Sequence, residues 1–181
     1  ALDRFRDRVY SVTQLESYGT CPFQFFADKV LRLDVIPEIE EGVSPLERGD
    51  VLHEILFEFY TDRRHRGMPP LFECTEAEFR EAVNEVGTIA RGKLNGLTAF
   101  DIFWDVEKEL ILGSKKRKGI LEEFLELESR EKLSLRPSYF EVAFGSTVGE
   151  KKKVDSTLLS EKPVTAGNVR LRGKVDRIDM G

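Results

Sequence analysis

"KPVTAGNVRLRGKVDRIDMG", residues Lys162 to Gly181, reads as a turn at Ala166-Gly167-Asn168 followed by a β-strand from Val169 to about Asp179. Successive strand side chains point to opposite faces, so Lys174 and Asp176 share one face while Val175 and Arg177 take the other. Asp176 therefore interrupts the polar–apolar alternation at a position flanked by bases. A solvated edge strand would carry such charges to discourage aggregation. A divalent cation such as Mg²⁺ would use the same carboxylate differently, since it takes oxygens from one or two carboxylates plus substrate phosphate and water. Upstream, "SYFEVAFG" (Ser138 to Gly145) is a second strand pattern, alternating Tyr139 and Glu141 against Phe140 and Val142. Glu141 would suit a second carboxylate ligand if the two strands pair. Spacing alone leaves both readings open.

Before Arg136 the pattern is helical. Ser11 with Gln14, and Thr13 with Glu16, each fit a capping box, so a helix is expected from about residue 12. Pro22, just after Cys21, fits the first turn of a second short helix. The acidic, proline-punctuated stretch from Asp34 to Pro45 reads as a loop. "LERGDVLHEILFEFYTDRRHRG" returns to helical period, with Leu52, Ile55, Leu56, Phe59 and Tyr60 as its apolar stripe. His53 on this helix fits a packed structural histidine. Gly49, one turn earlier on the same face, would equally leave room for something to approach the imidazole. "GMPPLFEC" ends the helix, Thr75 with Glu78 starts another, and a long pattern from Asp101 to Leu133 is broken at Gly113-Ser114. Trp104 and the aromatic residues of "YSVTQLESYGTCPFQFF" (Tyr10 to Phe26) are expected in the core.

The order, helices first and strands after, gives an α+β arrangement in 181 residues, enough for one domain. No apolar run approaches the roughly 18 residues of a membrane span, and the charged start "ALDRFRDRVY" lacks the apolar stretch of a signal peptide. Two cysteines make no disulfide framework, so a reducing cytoplasm is the default expectation. Lys and Arg number 28 against 33 Asp and Glu, a net charge of −5. Global charge thus argues against nucleic acid, and a local basic patch would have to supply any such binding. Arg63 to Arg66, Lys115 to Lys118 and Lys151 to Lys153 are basic runs that fit either a phosphate-binding patch or a solvated surface.

Taken in order, "SVTQLESYGTCPFQFF", "ERGDVLHEILFEFY", "YFEVAFG" and "LRGKVDRID" resemble the motif series of the RecB/AddB-type nucleases of the PD-(D/E)XK superfamily. The resemblance spans about Tyr10 to Asp179, with variable middle helices. It implies an α/β, restriction-endonuclease-like core with N-terminal helices, a helical insertion at about residues 67–135, and the first core strands in 136–181. It also implies a Mg²⁺- or Mn²⁺-dependent DNA exonuclease domain of an ATP-dependent helicase–nuclease, acting in double-strand-break repair with an AddA-like partner. Asp176 matches the metal-binding aspartate of the G-x-x-D motif, and His53 the histidine of the helical motif at the metal site. Glu141 matches the acidic residue of the preceding strand. Arg48, Lys174 and Arg177 are the basic residues nearest that site and are expected to meet DNA. Cys21 matches the first ligand of a 4Fe-4S cluster that would tie an N-terminal segment to a distant C-terminal one.

Two features of the family have no counterpart here. The strand after G-x-x-D carries an acidic residue and a lysine, and three further cluster cysteines lie beyond it. A cubane cluster takes four thiolates, and Cys74 sits in the variable region. The expectation is therefore a fragment with an incomplete central sheet, inactive alone although its parent cuts DNA. A nuclease-like scaffold that binds DNA ends or a partner without cutting is the alternative. A third reading is an acidic interaction domain in which His53 and Asp176 never meet.

Overall fold

The computed structural model describes residues 8–33, 42–98, 103–131, 135–145 and 154–181. Most of the expected 34–45 loop lies outside them, as does the basic run at 151–153. The chain divides into two compact units: the described residues of 1–39 with those of 141–176, and the described residues of 40–140 with 177–181.

The first unit opens with β1 (Val9–Ser11), a three-residue strand with no sequence signal of its own. Ser11 then caps α1 (Val12–Thr20). Its hydroxyl accepts from the Gln14 amide while the Gln14 side chain accepts from the Ser11 amide, the reciprocal box expected from sequence. Pro22 starts α2 (Pro22–Phe25), which runs into a π-helical turn at Phe26–Leu31.

The second unit is mostly helical. Ser44 and Glu47 form another capping box, with Pro45 in the first turn, and start α3 (Pro45–His65). A 3-10 turn at Leu71–Glu73 separates it from α4 (Glu76–Thr98), whose cap is the expected Thr75–Glu78 pair. α5 (Phe103–Leu112) stops where Gly113-Ser114 breaks the pattern. A tight hairpin of β2 (Gly113–Ser114) and β3 (Arg117–Lys118) follows, then α6 (Ile120–Arg130). α3 packs on α4, α4 on α5, and α5 on α6. Ile55 and Phe59, one turn apart on α3, are buried with Val86 and Leu94 of α4, Ile111 of α5 and Leu125 of α6. Leu52 and Leu56 pack half-buried against this core, and Trp104 is buried as expected. Tyr60 stacks on Phe140, ring centroids 4.8 Å apart, so the apolar stripe of α3 reaches the first half of the next strand.

That strand is β4 (Arg136–Phe144), followed by the hairpin of β5 (Val164–Ala166) and β6 (Val169–Met180). Gly167 takes φ +60 at the hairpin tip, a conformation open to glycine at little cost. The sheet runs β1-β6-β4, with β5 also on β6. β1 lies parallel to β6, Tyr10 opposite Leu171, and β5 is antiparallel to it, Thr165 opposite Arg170. The expected alternation in β4 fails at its centre: Phe140, Glu141, Val142 and Ala143 are all buried in succession. The reason is Glu141 itself, which adopts φ +55 and so breaks the two-residue period.

Candidate metal site

Glu141 is 5% exposed in the first unit, and its left-handed backbone costs about 1–2 kcal/mol for a side chain with a Cβ. Strain of that kind persists where the surroundings over-determine it, and it concentrates at functional sites. Its carbonyl accepts from the amide of Asp155, a buried residue whose own carboxylate accepts from the Thr157 amide. No sequence signal marks Asp155 as the residue that fastens this bend. Asp176, exposed on β6, lies with a carboxylate oxygen within 4.8 Å of one on Glu141. Lys174, two residues before it on the same face, places its ammonium in an ion pair with Glu141. Gly173 completes the local geometry. A Cβ there would stand 2.9 Å from the ring of Phe144 and 3.5 Å from Val12, so the first position of G-x-x-D lets β6 lie close to the end of β4. The result is two carboxylates, one buried and one wet, facing a common point with a cation beside them.

Within the second unit Arg177 has a different setting. Its Nη1 lies 2.5 Å from Glu128 of α6, and its Nε and Nη2 donate to Asp179 at 2.6 and 3.0 Å. The guanidinium also sits over the Tyr60 ring, 5.7 Å from its centroid, and the Tyr60 hydroxyl donates to Glu128. Burial pushes the Glu128 carboxyl above its ordinary 4.5, against the downward pull of Arg177. Burial works against the charge of Arg177, but Asp179 and Glu128 outweigh it and hold the guanidinium charged to higher pH. For Glu128 the folded chain keeps the proton to higher pH than the unfolded chain. Its contribution to stability is thus full below about 4.5 and is lost as pH rises through the folded value. Glu128→Gln keeps an acceptor for Tyr60 and removes this titration. Its Tm relative to wild type is expected to improve as pH rises above 4.5, read by thermal melts at a series of pH values. A constant difference would contradict the assignment.

Arg48 is also engaged: its Nε and Nη2 donate to the two carboxylate oxygens of Glu107 at 2.6 and 2.8 Å. Arg48 and Arg177, both expected at DNA, are thus each held by carboxylates of their own unit. The fork of a guanidinium matches a carboxylate as well as it matches a phosphate. His53 is exposed on α3. A Cβ at Gly49 would meet nothing within 4 Å, so packing does not demand glycine there. Cys21 is half-buried at the start of α2, its sulfur accepting from the Gln24 amide at 3.5 Å. The aromatic residues around it are not the core that the sequence suggests: Phe23 is 78% exposed, and Tyr18 and Phe26 are exposed as well. Tyr18 lies on α1, Phe23 on the short α2 and Phe26 on the π turn, and all three side chains are open to solvent there. No helix among the described residues is long and apolar enough to cross a membrane.

Comparison with known proteins agrees with this frame. A family profile described as the PD-(D/E)XK nuclease superfamily matches residues 9–181. The chain is 28% identical over 176 residues to the B-type subunit of the ATP-dependent helicase/deoxyribonuclease of Lacticaseibacillus casei, covering 97% of this chain and 14% of that protein. It is 27% identical over 183 residues to the protein of the same name from Enterococcus faecalis, 96% and 14% covered. The Desulfitobacterium hafniense protein of that name is 26% identical over 182 residues, 94% and 13% covered. The chain therefore spans about one-seventh of the length of these relatives. With its helices, its mixed sheet and a match running from β1 to the last residue, the chain belongs to the PD-(D/E)XK nuclease superfamily and has its restriction-endonuclease-like α/β fold.

Proposed function

We propose that this chain is a fragment of the nuclease domain of an ATP-dependent helicase–nuclease, a domain that hydrolyses DNA phosphodiesters as a Mg²⁺- or Mn²⁺-dependent exonuclease in break repair, with an AddA-like partner. The observation that carries the reading is the approach of strained, buried Glu141 to Asp176. Two carboxylates offer the hard oxygens that Mg²⁺ and Mn²⁺ take, and they leave positions for water and phosphate. Glu141 and Asp176 would hold the ion, with His53 proposed as a third ligand from the helical motif. A bound divalent cation supplies charge neutralisation at the phosphate and a lowered pKa for water. The chain's own part is to fix two oxygens at one point and to exclude water on the Glu141 side. Lys174 keeps a positive charge next to the place the phosphate takes. For the 181-residue polypeptide itself we expect metal and DNA binding with little turnover, because the acidic residue and lysine of the family's following strand are not among its residues.

Cys21 is proposed as one ligand of an iron–sulfur cluster in the longer protein. Four thiolates are needed and the chain has two cysteines, so these residues alone do not hold it.

Titration with Mn²⁺, followed by calorimetry, tests the site. Wild type is expected to bind one ion, and His53→Ala to bind it about tenfold more weakly. Equal affinities would remove His53 from the ligand set, and no binding by wild type would overturn the metal reading.

A further inference from the structure

We infer that Lys174 is a metal-coupled positioning residue: its ammonium occupies Glu141 when no divalent ion is bound, and turns to the substrate phosphate when one is. The inference rests on the metal reading above. Glu141 is almost fully buried, and a buried carboxylate needs a cation or hydrogen-bond donors to offset its lost hydration. Lys174 supplies one, reaching Glu141 from a side chain that itself remains 30% exposed. A divalent cation between Glu141 and Asp176 would compete with that ammonium for the same oxygens, through charge repulsion as well as contact.

Lysine suits exchange where arginine would not. It is a flexible point charge without a planar fork, so it gives up one anion for another with little geometric penalty. Its place two residues before Asp176, on the same strand face, sets the two Cα atoms about 7 Å apart along the strand. A phosphate held by the ion at Asp176 would lie within reach of the side chain. Arg48 and Arg177 do not share this freedom, since each is bound in a two-point carboxylate contact.

The linkage has a sign that a merely structural ion pair would not give. Removing a competitor tightens the metal, whereas removing a structural support loosens it. Lys174→Ala and Lys174→Gln are expected to bind Mn²⁺ about fivefold more tightly than wild type, the order of one partly buried ion pair. The rise in Tm on adding Mn²⁺ should be larger in both variants, because the metal-free form then leaves Glu141 without its cation.

A fluorescent single-stranded oligonucleotide gives the second readout. With Ca²⁺ present, both variants should bind it about fivefold more weakly than wild type, and Lys174→Arg, whose fork would stay on Glu141, should restore little of the loss. In EDTA, wild type and variants should bind it alike, because Lys174 is then engaged by Glu141. Unchanged or weaker Mn²⁺ affinity in the variants would overturn the inference, as would an oligonucleotide defect of equal size with and without Ca²⁺. Failure of wild type to bind Mn²⁺ would instead overturn the metal reading itself.

Discussion

Asp176→Asn is expected to weaken Mn²⁺ binding about a hundredfold while leaving the folded chain within about 0.5 kcal/mol of wild-type stability. The two halves of that expectation have separate causes. Asp176 is exposed, so an amide of the same shape costs the fold little. The ion, however, loses one of the two anionic oxygens that the first unit brings within 4.8 Å of each other. Calorimetric titration with Mn²⁺ and a urea melt on the same preparation check both halves. Glu141→Gln should match the metal loss but also lower stability, because it strands the Lys174 ammonium beside a buried amide. A variant at either position that bound Mn²⁺ as wild type does would remove that carboxylate from the site.

The largest effect on stability is expected in the second unit, at the β2–β3 hairpin. Gly119, the cap of α6, has no room for a side chain. A Cβ there would stand 2.4 Å from the Gly113 nitrogen, the Ile111 carbonyl oxygen and the Leu112 carbonyl carbon. Gly113 is constrained twice over, by φ +81 and by a Cβ position 2.5 Å from the Gly119 nitrogen. All of these are backbone atoms, which move only with the helices they belong to. Gly119→Ala should therefore cost about 3 kcal/mol or more in urea unfolding, with Gly113→Ala at least as harmful. The hairpin sets where α6 begins, and α6 carries Glu128 to Arg177, so the damage should reach the Tyr60–Glu128–Arg177 group as well. A loss below about 1 kcal/mol in Gly119→Ala would contradict the hairpin geometry.

Much of this architecture is legible in local chemistry. Ser11 and Thr75 announce helix starts because each can accept from an amide three residues on while that residue's side chain answers it. The Ser44–Glu47 box lies at the end of the stretch that reads as a loop. The α3 stripe is legible because four-residue spacing puts Ile55 and Phe59 on one face. The turn before β6 is legible because Gly167 is where a left-handed residue is cheap. What sequence does not carry is the part that depends on distant partners. β1 is three residues long and exists through parallel pairing with Arg170 to Arg172. Glu141 reads as an ordinary alternating strand residue, yet its backbone is left-handed and its carbonyl accepts from the distant Asp155 amide. Arg48 and Arg177 read as available cations, yet Glu107, Glu128 and Asp179 take them. Phe23 reads as core by its type, while the short helix that carries it turns it to solvent. The aspartate of G-x-x-D is the strongest site signal because the pattern combines a steric need at Gly173 with a charge at Asp176.

The central claim is that Glu141 and Asp176 hold one divalent cation, and the most direct test is to see the ion. Crystals of the chain grown with Mn²⁺ and measured near the manganese edge should show one anomalous peak about 2.1 Å from an oxygen of each carboxylate, with the Lys174 ammonium moved off Glu141. A well-ordered map with no peak there, or with the ion bound elsewhere and Lys174 still on Glu141, would contradict the account.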